Sequence, residues 1–463
     1  RSFALGEKVL GFTPSFNHSV SVEPERLALS GDSGALMVRE ALESSGVMAA
    51  LEASLTDPRD PRRVRYTLAD QMRLLILQRA MGWNDLSDSR LLEADPLIRL
   101  AASSRRGLTP FSEAVPAQAT LSRLLNILGD DANIDAVHTG LLSMAVHRLR
   151  TLPKRRRRGP LTLDIDGLPI SVAGEQAGSA YSGYVRERIY YPLIASLAEE
   201  GDLVGGLLRE GNAGAAEDAD TWIPHLATAL ADELQRRIRV RFDAGFTGDD
   251  VITPLENRGI EYLGRLRSNT KLQELAAPYL KRPPGRRPVI SREWCHDLQY
   301  QGAEWPHARR MVLVVQERPD DLFLHHFWIV TNLDARRTSA EEVLALYRRR
   351  GKAEAHMGEL KSVLGVPLSS TDRGKSTVEQ VMARNEVNLL LSLYAYQAMH
   401  ALRCLMQDAT RDGWSLSRLR EQVLKVAAVA VIHARRVSIR LGVAAQRWWG
   451  ILQAAVRRRW QTA

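Results

Sequence analysis

LTLDIDGLPISV (161–172) marks where the periodicity of this chain changes from helical to strand-like. RERIYYPLIASLA (186–198) and DLVGGLLREG (202–211) follow after short connections, giving three successive strands. DADTWIPHLATALADELQRR (218–237) then reads as a helix and IRVRFDAGF (238–246) as a fourth strand. DDVITPLENRG (249–259) reads as a short helix and IEYLGRLR (260–267) as a fifth strand. With a right-handed crossover, this β-β-β-α-β-α-β order sets the first and fourth strands side by side. Asp166 and Asp243, near the ends of those strands, are then expected to meet.

That order is the ribonuclease H-like architecture, an α/β fold. Three more strand-like pieces, ISREWCHDLQY, RRMVLVVQER and LHHFWIVTNL, precede the next helix and read as a β-rich insertion into the core. The expected division is an N-terminal arm and helical DNA-binding domain over 1–155 and a first part of the core over 156–267. The insertion follows over 268–337, the second part of the core over 338–405, and a basic helical C-terminal region over 406–463. In the N-terminal part, RYTLADQMRLLILQRAMG has helical spacing with Thr67 as N-cap. Such short helices suit either a DNA groove or a plain scaffold.

YRRRGKAEAHMGELK (347–361) follows a capping-box start at Ser339–Glu342. At about 100° per residue, Tyr347, Arg350, Glu354 and Lys361 fall within an arc of roughly 60° on one helix face. Three acids gathered at one place need positive charge. Two carboxylates about 4 Å apart repel by roughly 4 kcal/mol at an effective dielectric of 20. Arg241, on the strand face of Asp243, offsets part of this, and divalent metal offsets the rest. Two Mg²⁺ ions, with Mn²⁺ as substitute, would clamp the attacking and leaving oxygens of a phosphodiester displacement. Asp164 shares a strand face with Asp166 and stands as the alternative ligand or as its support.

The bulk composition agrees. The 463 residues carry a net charge of +9, which favours a polyanionic partner. Lys154, Arg155, Arg156, Arg157 and Arg158 form one basic run. From Val423 to Ala463 there is no acid, and Arg457, Arg458 and Arg459 lie in that segment. Two cysteines exclude a disulfide scaffold and fit a reducing cytosol. No apolar run is long enough to span a bilayer. RSFALGEKVLGF lacks the apolar stretch of a secretory signal, and its first arginine leaves room for a true start upstream. Trp294, Trp305 and Trp328 suit either base stacking or core packing, with packing favoured for Trp328; His356 is turned away from Glu354 and is expected to hold no metal.

The spacing Tyr347-x2-Arg350-x3-Glu354-x6-Lys361 resembles the Tyr-Arg-Glu-Lys signature of the DDE transposases encoded by bacterial insertion sequences. The surrounding YRRRGKAEAHMGELKSVLG also looks like the branch related to piggyBac transposases, with further local matches at LDIDG around Asp166, GEQAGSAYSGYVRERIYYPL (174–193), DAGF at Asp243 and FWIVTNL. The resemblance implies a metal-dependent DNA transposase that cuts and pastes an insertion sequence at terminal inverted repeats, inside a bacterial cytoplasm and on the nucleoid. It implies that Asp166, Asp243 and Glu354 hold the metals while Tyr347, Arg350 and Lys361 contact DNA phosphates. Its partners would be duplex DNA, both repeats and target, with a homodimer in the synaptic complex and no membrane. The alternatives are a nuclease of the same fold that cuts without joining, and a DNA-binding protein that no longer catalyses.

Overall fold

The computed structural model describes residues 14–16, 19, 28–214, 216–286, 288–368, 376–434 and 436–461, without the side chains of 352–354. Most of the expected N-terminal arm, with Arg287 and Arg435, lies outside the described residues.

Eight strands make one mixed sheet: β1 (Leu161–Gly167), β2 (Leu193–Leu197), β3 (Leu203–Leu207), β4 (Ile238–Phe242), β5 (Glu261–Leu266), β6 (Arg292–Tyr300), β7 (Arg309–Glu317) and β8 (His325–Thr331). Their spatial order is β6-β7-β8-β5-β4-β1-β2-β3. β1 runs parallel to β4, with Leu161 opposite Ile238 and Asp164 opposite Arg241. β4 runs parallel to β5, and β2 and β3 turn back antiparallel on the other edge. The first and fourth strands are therefore neighbours, as the crossover rule requires. Helices Ala219–Leu234 and Asp249–Asn257 make the two crossovers, burying Ile223, Leu230, Val251 and Ile252 with the sheet.

β4 is buried along its whole length, which is the burden of a central parallel strand. Its two arginines must then find acids. Arg239 pairs with Glu261 on β5 and Arg241 with Asp164 on β1. The stretch 268–337 adds β6, β7 and β8, and joins the sheet where β8 pairs antiparallel with β5. Trp328, on β8, is fully buried.

Beside the sheet stands a helical body. α1 (Ala340–Arg348) and α2 (Gly351–Leu364) lead to α3 (Val378–Thr410), whose middle is buried over nearly every residue. Residues from both chain ends share its core, from Val38 and Leu74 through Leu390 to Leu452. Helix Leu68–Met81 forms as the sequence predicts, with Thr67 Oγ1 accepting from Asp70 N at 3.1 Å. It is buried on all sides, Arg73 and Arg79 included, so it is scaffold and has no face for a groove. Arg79 donates to Asn388 Oδ1 at 2.7 Å, and burial lowers its pKa to about 10.

The C-terminal region departs from the helical expectation. β9 (Ala428–His433) and β10 (Arg436–Leu441) form an antiparallel hairpin, to which Leu29–Ser30 adds a third strand. AVAVIH and RVSIRL alternate with period two, and that pattern outweighs the helical tendency of their neighbours. Among the described residues, no helix is long and apolar enough to cross a membrane.

Candidate active site

Parallel strands β1 and β4 deliver an aspartate each. Asp166 is the last residue but one of β1, and Asp243 follows β4 directly. The Arg350 guanidinium lies between them, with Nη2 at 2.8 Å from Asp166 Oδ2 and 4.0 Å from Asp243 Oδ2. Burial disfavours its charge, but the two carboxylates more than offset this and raise its pKa. Asp243 Oδ1 accepts from Gly245 N at 2.8 Å, a local turn that fixes the carboxylate within DAGF. Asp243 stays the more open acid, with 43% of its side chain exposed against 21% for Asp166.

Tyr347 and Arg350 do not share one helix. α1 ends at Arg348, α2 begins at Gly351, and Arg350 N donates to Tyr347 O at 3.2 Å, a three-residue closure. Glycine after a run of arginines is a poor helix residue, and the chain breaks there. The single helix expected across these residues is broken, yet the Tyr347 and Arg350 side chains still meet across the turn and are hydrogen-bonded. Burial pushes the Tyr347 phenol above its ordinary pKa. Arg348 turns the other way and pairs with Glu293 on β6. Glu354 belongs to α2, and its side chain lies outside the described residues. Among the described residues, no three His, Cys, Asp or Glu side chains are grouped so that they could hold a metal ion. Lys361, further along α2, donates from Nζ to Pro169 O at 3.1 Å, just past the end of β1.

Asp164 has a different task. Arg241 Nε and Nη2 reach its two oxygens at 2.5 and 2.7 Å, and both side chains are nearly inaccessible to solvent. Burial pushes the Asp164 carboxyl up, against the pull of Arg241. Arg241 also donates to Leu346 O, so this pair ties β1, β4 and α1 together. The cation that offsets Asp243 is thus Arg350, and the charge of Arg241 is taken by Asp164.

Tyr191 belongs to this site and was not among the residues singled out by sequence. A Cβ added at Gly167 would lie 2.5 Å from its ring. Burial, then Asp166 and Asp243, push the Tyr191 phenol up. The Arg209 guanidinium sits 5.4 Å from the ring centroid. The available signal was the glycine of LDIDG, which leaves room for a large neighbour beside an acid.

The basic residues are dispersed. Lys154, Arg155, Arg157 and Arg158 are exposed at the turn before β1, whereas Arg156 pairs with Glu200 at 2.5 Å. Arg457 and Arg458 are exposed, and Arg459 half-buried, at the end of helix Gln446–Trp460. Trp305 is packed edge-on to Tyr300, with Arg309 over its ring at 4.8 Å, and Trp294 is half-buried. His356 Nδ1 lies 3.1 Å from the Tyr396 hydroxyl.

The family model described as transposase DDE domain group 1 matches residues 12–456. Among solved structures, the piggyBac transposase synaptic complex with hairpin DNA is similar at a TM-score of 0.37 and 12% identity, over 90% of this chain and 81% of that one. No curated protein matches.

Proposed function

The chain belongs to the DDE-domain transposase family, and from that premise we propose that this DNA transposase works by cut and paste, freeing an insertion sequence at its terminal inverted repeats and joining it to target DNA. One observation carries the reading: Asp166 and Asp243, from neighbouring parallel strands, converge on a single guanidinium. The order β3-β2-β1-β4-β5 supports a ribonuclease H-like core, and β6 to β8 support an insertion that extends its sheet. We read 156–267 and 338–405 as the two parts of that core and 268–337 as the insertion. The stretches 1–155 and 406–463 are proposed as the DNA-binding flanks.

The acids fit a divalent cation, because they already converge on a positive charge. Asp166 and Asp243, with Glu354 as the third acid implied by the family signature, would hold Mg²⁺ or Mn²⁺. When bound, the metal supplies a Lewis acid for the phosphate and a more acidic attacking water. Arg350, now held by Asp166 and Asp243, would turn to phosphate oxygens beside the scissile bond. Tyr347 orients Arg350 through their hydrogen bond, and Lys361 adds a charge beside the end of β1.

Arg350→Ala is expected to slow cleavage or strand transfer by about ten- to a hundred-fold, the worth of one charge-assisted contact of about 1–3 kcal/mol. Arg348→Ala, which removes a half-exposed pair with Glu293, is expected to change the rate little. The assay takes as substrate a terminal-repeat duplex, to be identified by a search of the DNA flanking the gene for matched inverted repeats. Equal losses from both variants would mean that the Arg350 turn is structural. Product joined to target DNA separates a transposase from a nuclease that only cuts.

Joining two ends at one target needs two active sites held together, so two paired ends should carry at least a dimer. Light scattering of the paired-end complex checks this. A lone monomer on paired ends, with transposition intact, would contradict it.

A further inference from the structure

The β9–β10 hairpin lies outside the site described above and has an unpartnered basic face. β10 is the edge strand of its small sheet. Along it, Arg436, Ser438 and Arg440 are exposed, while Val437, Ile439 and Leu441 are partly buried. These inner residues pack with Leu97, Leu100 and Phe111, so the hairpin is anchored on the helical body by one face and presents the other. The register places His433 opposite Arg436, Val431 opposite Ser438 and Val429 opposite Arg440. Among the described residues, neither exposed arginine side chain makes a hydrogen bond or an ion pair. Their segment has no acid from Val423 onward.

Spacing adds to charge. Four residues of antiparallel strand set Arg436 and Arg440 about 14 Å apart on one face. The major groove of duplex DNA is about 12 Å wide and admits a two-stranded ribbon. We propose that the β9–β10 ribbon docks in a groove of duplex DNA, with Arg436 and Arg440 on phosphates of the two walls and Ser438 toward base edges. This rests on the transposase reading and adds an element that binds DNA away from the cleavage site. Pairing of two chains through the β10 edge is the competing occupant, and like charges facing one another oppose it.

The test uses the full chain and a fluorescent duplex of random sequence, titrated between about 50 and 200 mM salt. Each lost phosphate contact lowers the slope of log K against log salt by about 0.9. Arg436→Ala with Arg440→Ala should therefore reduce the slope by about 1.8 and weaken binding about 30-fold near 0.15 M salt. Lysine at both positions should restore most of the slope, which a folding defect would not allow. Arg258→Ala with Arg318→Ala, two exposed charges elsewhere, should leave it unchanged. A double alanine variant that keeps the wild-type slope, or one whose only change is loss of self-association, overturns the ribbon assignment alone. A wild-type chain that fails to bind the duplex overturns the transposase reading with it.

Discussion

Asp166→Ala, Asp243→Ala and Glu354→Ala should each abolish strand cleavage while duplex binding persists. Loss of one preorganised electrostatic contact in an active site costs about 10²–10³ in rate. A carboxylate that holds a catalytic metal should cost at least as much. Binding survives because phosphate contacts by Lys and Arg dominate affinity for DNA. Removing an acid near the DNA also lowers repulsion, so the variants should bind equally or slightly more tightly. The measurement is cleavage of the terminal-repeat duplex in Mg²⁺ beside a binding titration of the same preparations. Full cleavage by Asp243→Ala would end the assignment of that residue.

The second large effect concerns stability. Asp164→Ala should lower the free energy of unfolding by about 3–5 kcal/mol, because it strands Arg241 as an unpaired buried charge. The pair has 1% and 2% of its side chains exposed, so water cannot take over the lost contact. Replacing both partners, Asp164→Leu with Arg241→Met, should recover much of the loss, since it removes the charge along with its partner. Denaturant unfolding of the two variants decides this. If Asp164→Ala keeps full stability yet loses cleavage as Asp166→Ala does, Asp164 is a ligand after all and its pairing with Arg241 gives way in the active state.

Much of this architecture is legible in the sequence, and the limits have physical causes. The crossover helices and the adjacency of β1 and β4 follow from periodicity and the handedness of parallel connections, but the expected strands 161–172 and 186–198 are each split, with Ile170–Ser171 and Glu187–Tyr190 going to a separate small sheet. Thr67 and Ser339 act as N-caps where their side chains are expected to. The partner of Arg241 was not legible, because it depends on the register of β1 against β4, which sets Asp164 opposite it. The break after Arg348 turns on a glycine within a strongly helical run, where composition and local geometry disagree. Burial of Leu68–Met81 on every side requires the long helix Val378–Thr410, far away in sequence, to pack against it. The β9–β10 hairpin is legible in its alternation, but its positive charge and helical surroundings favour a basic helix on composition alone.

Rescue by a changed ligand tests the central claim most directly. Asp166→Cys replaces a hard oxygen donor with a soft sulfur, which Mn²⁺ accepts more readily than Mg²⁺. Cleavage of the terminal-repeat duplex is to be measured for Asp166→Cys and Asp164→Cys in each metal. If Asp166 holds the catalytic ion, Asp166→Cys is inactive in Mg²⁺ and regains cleavage in Mn²⁺, while Asp164→Cys shows no such switch. Equal activity of Asp166→Cys in both metals, or a switch at Asp164→Cys instead, contradicts the account.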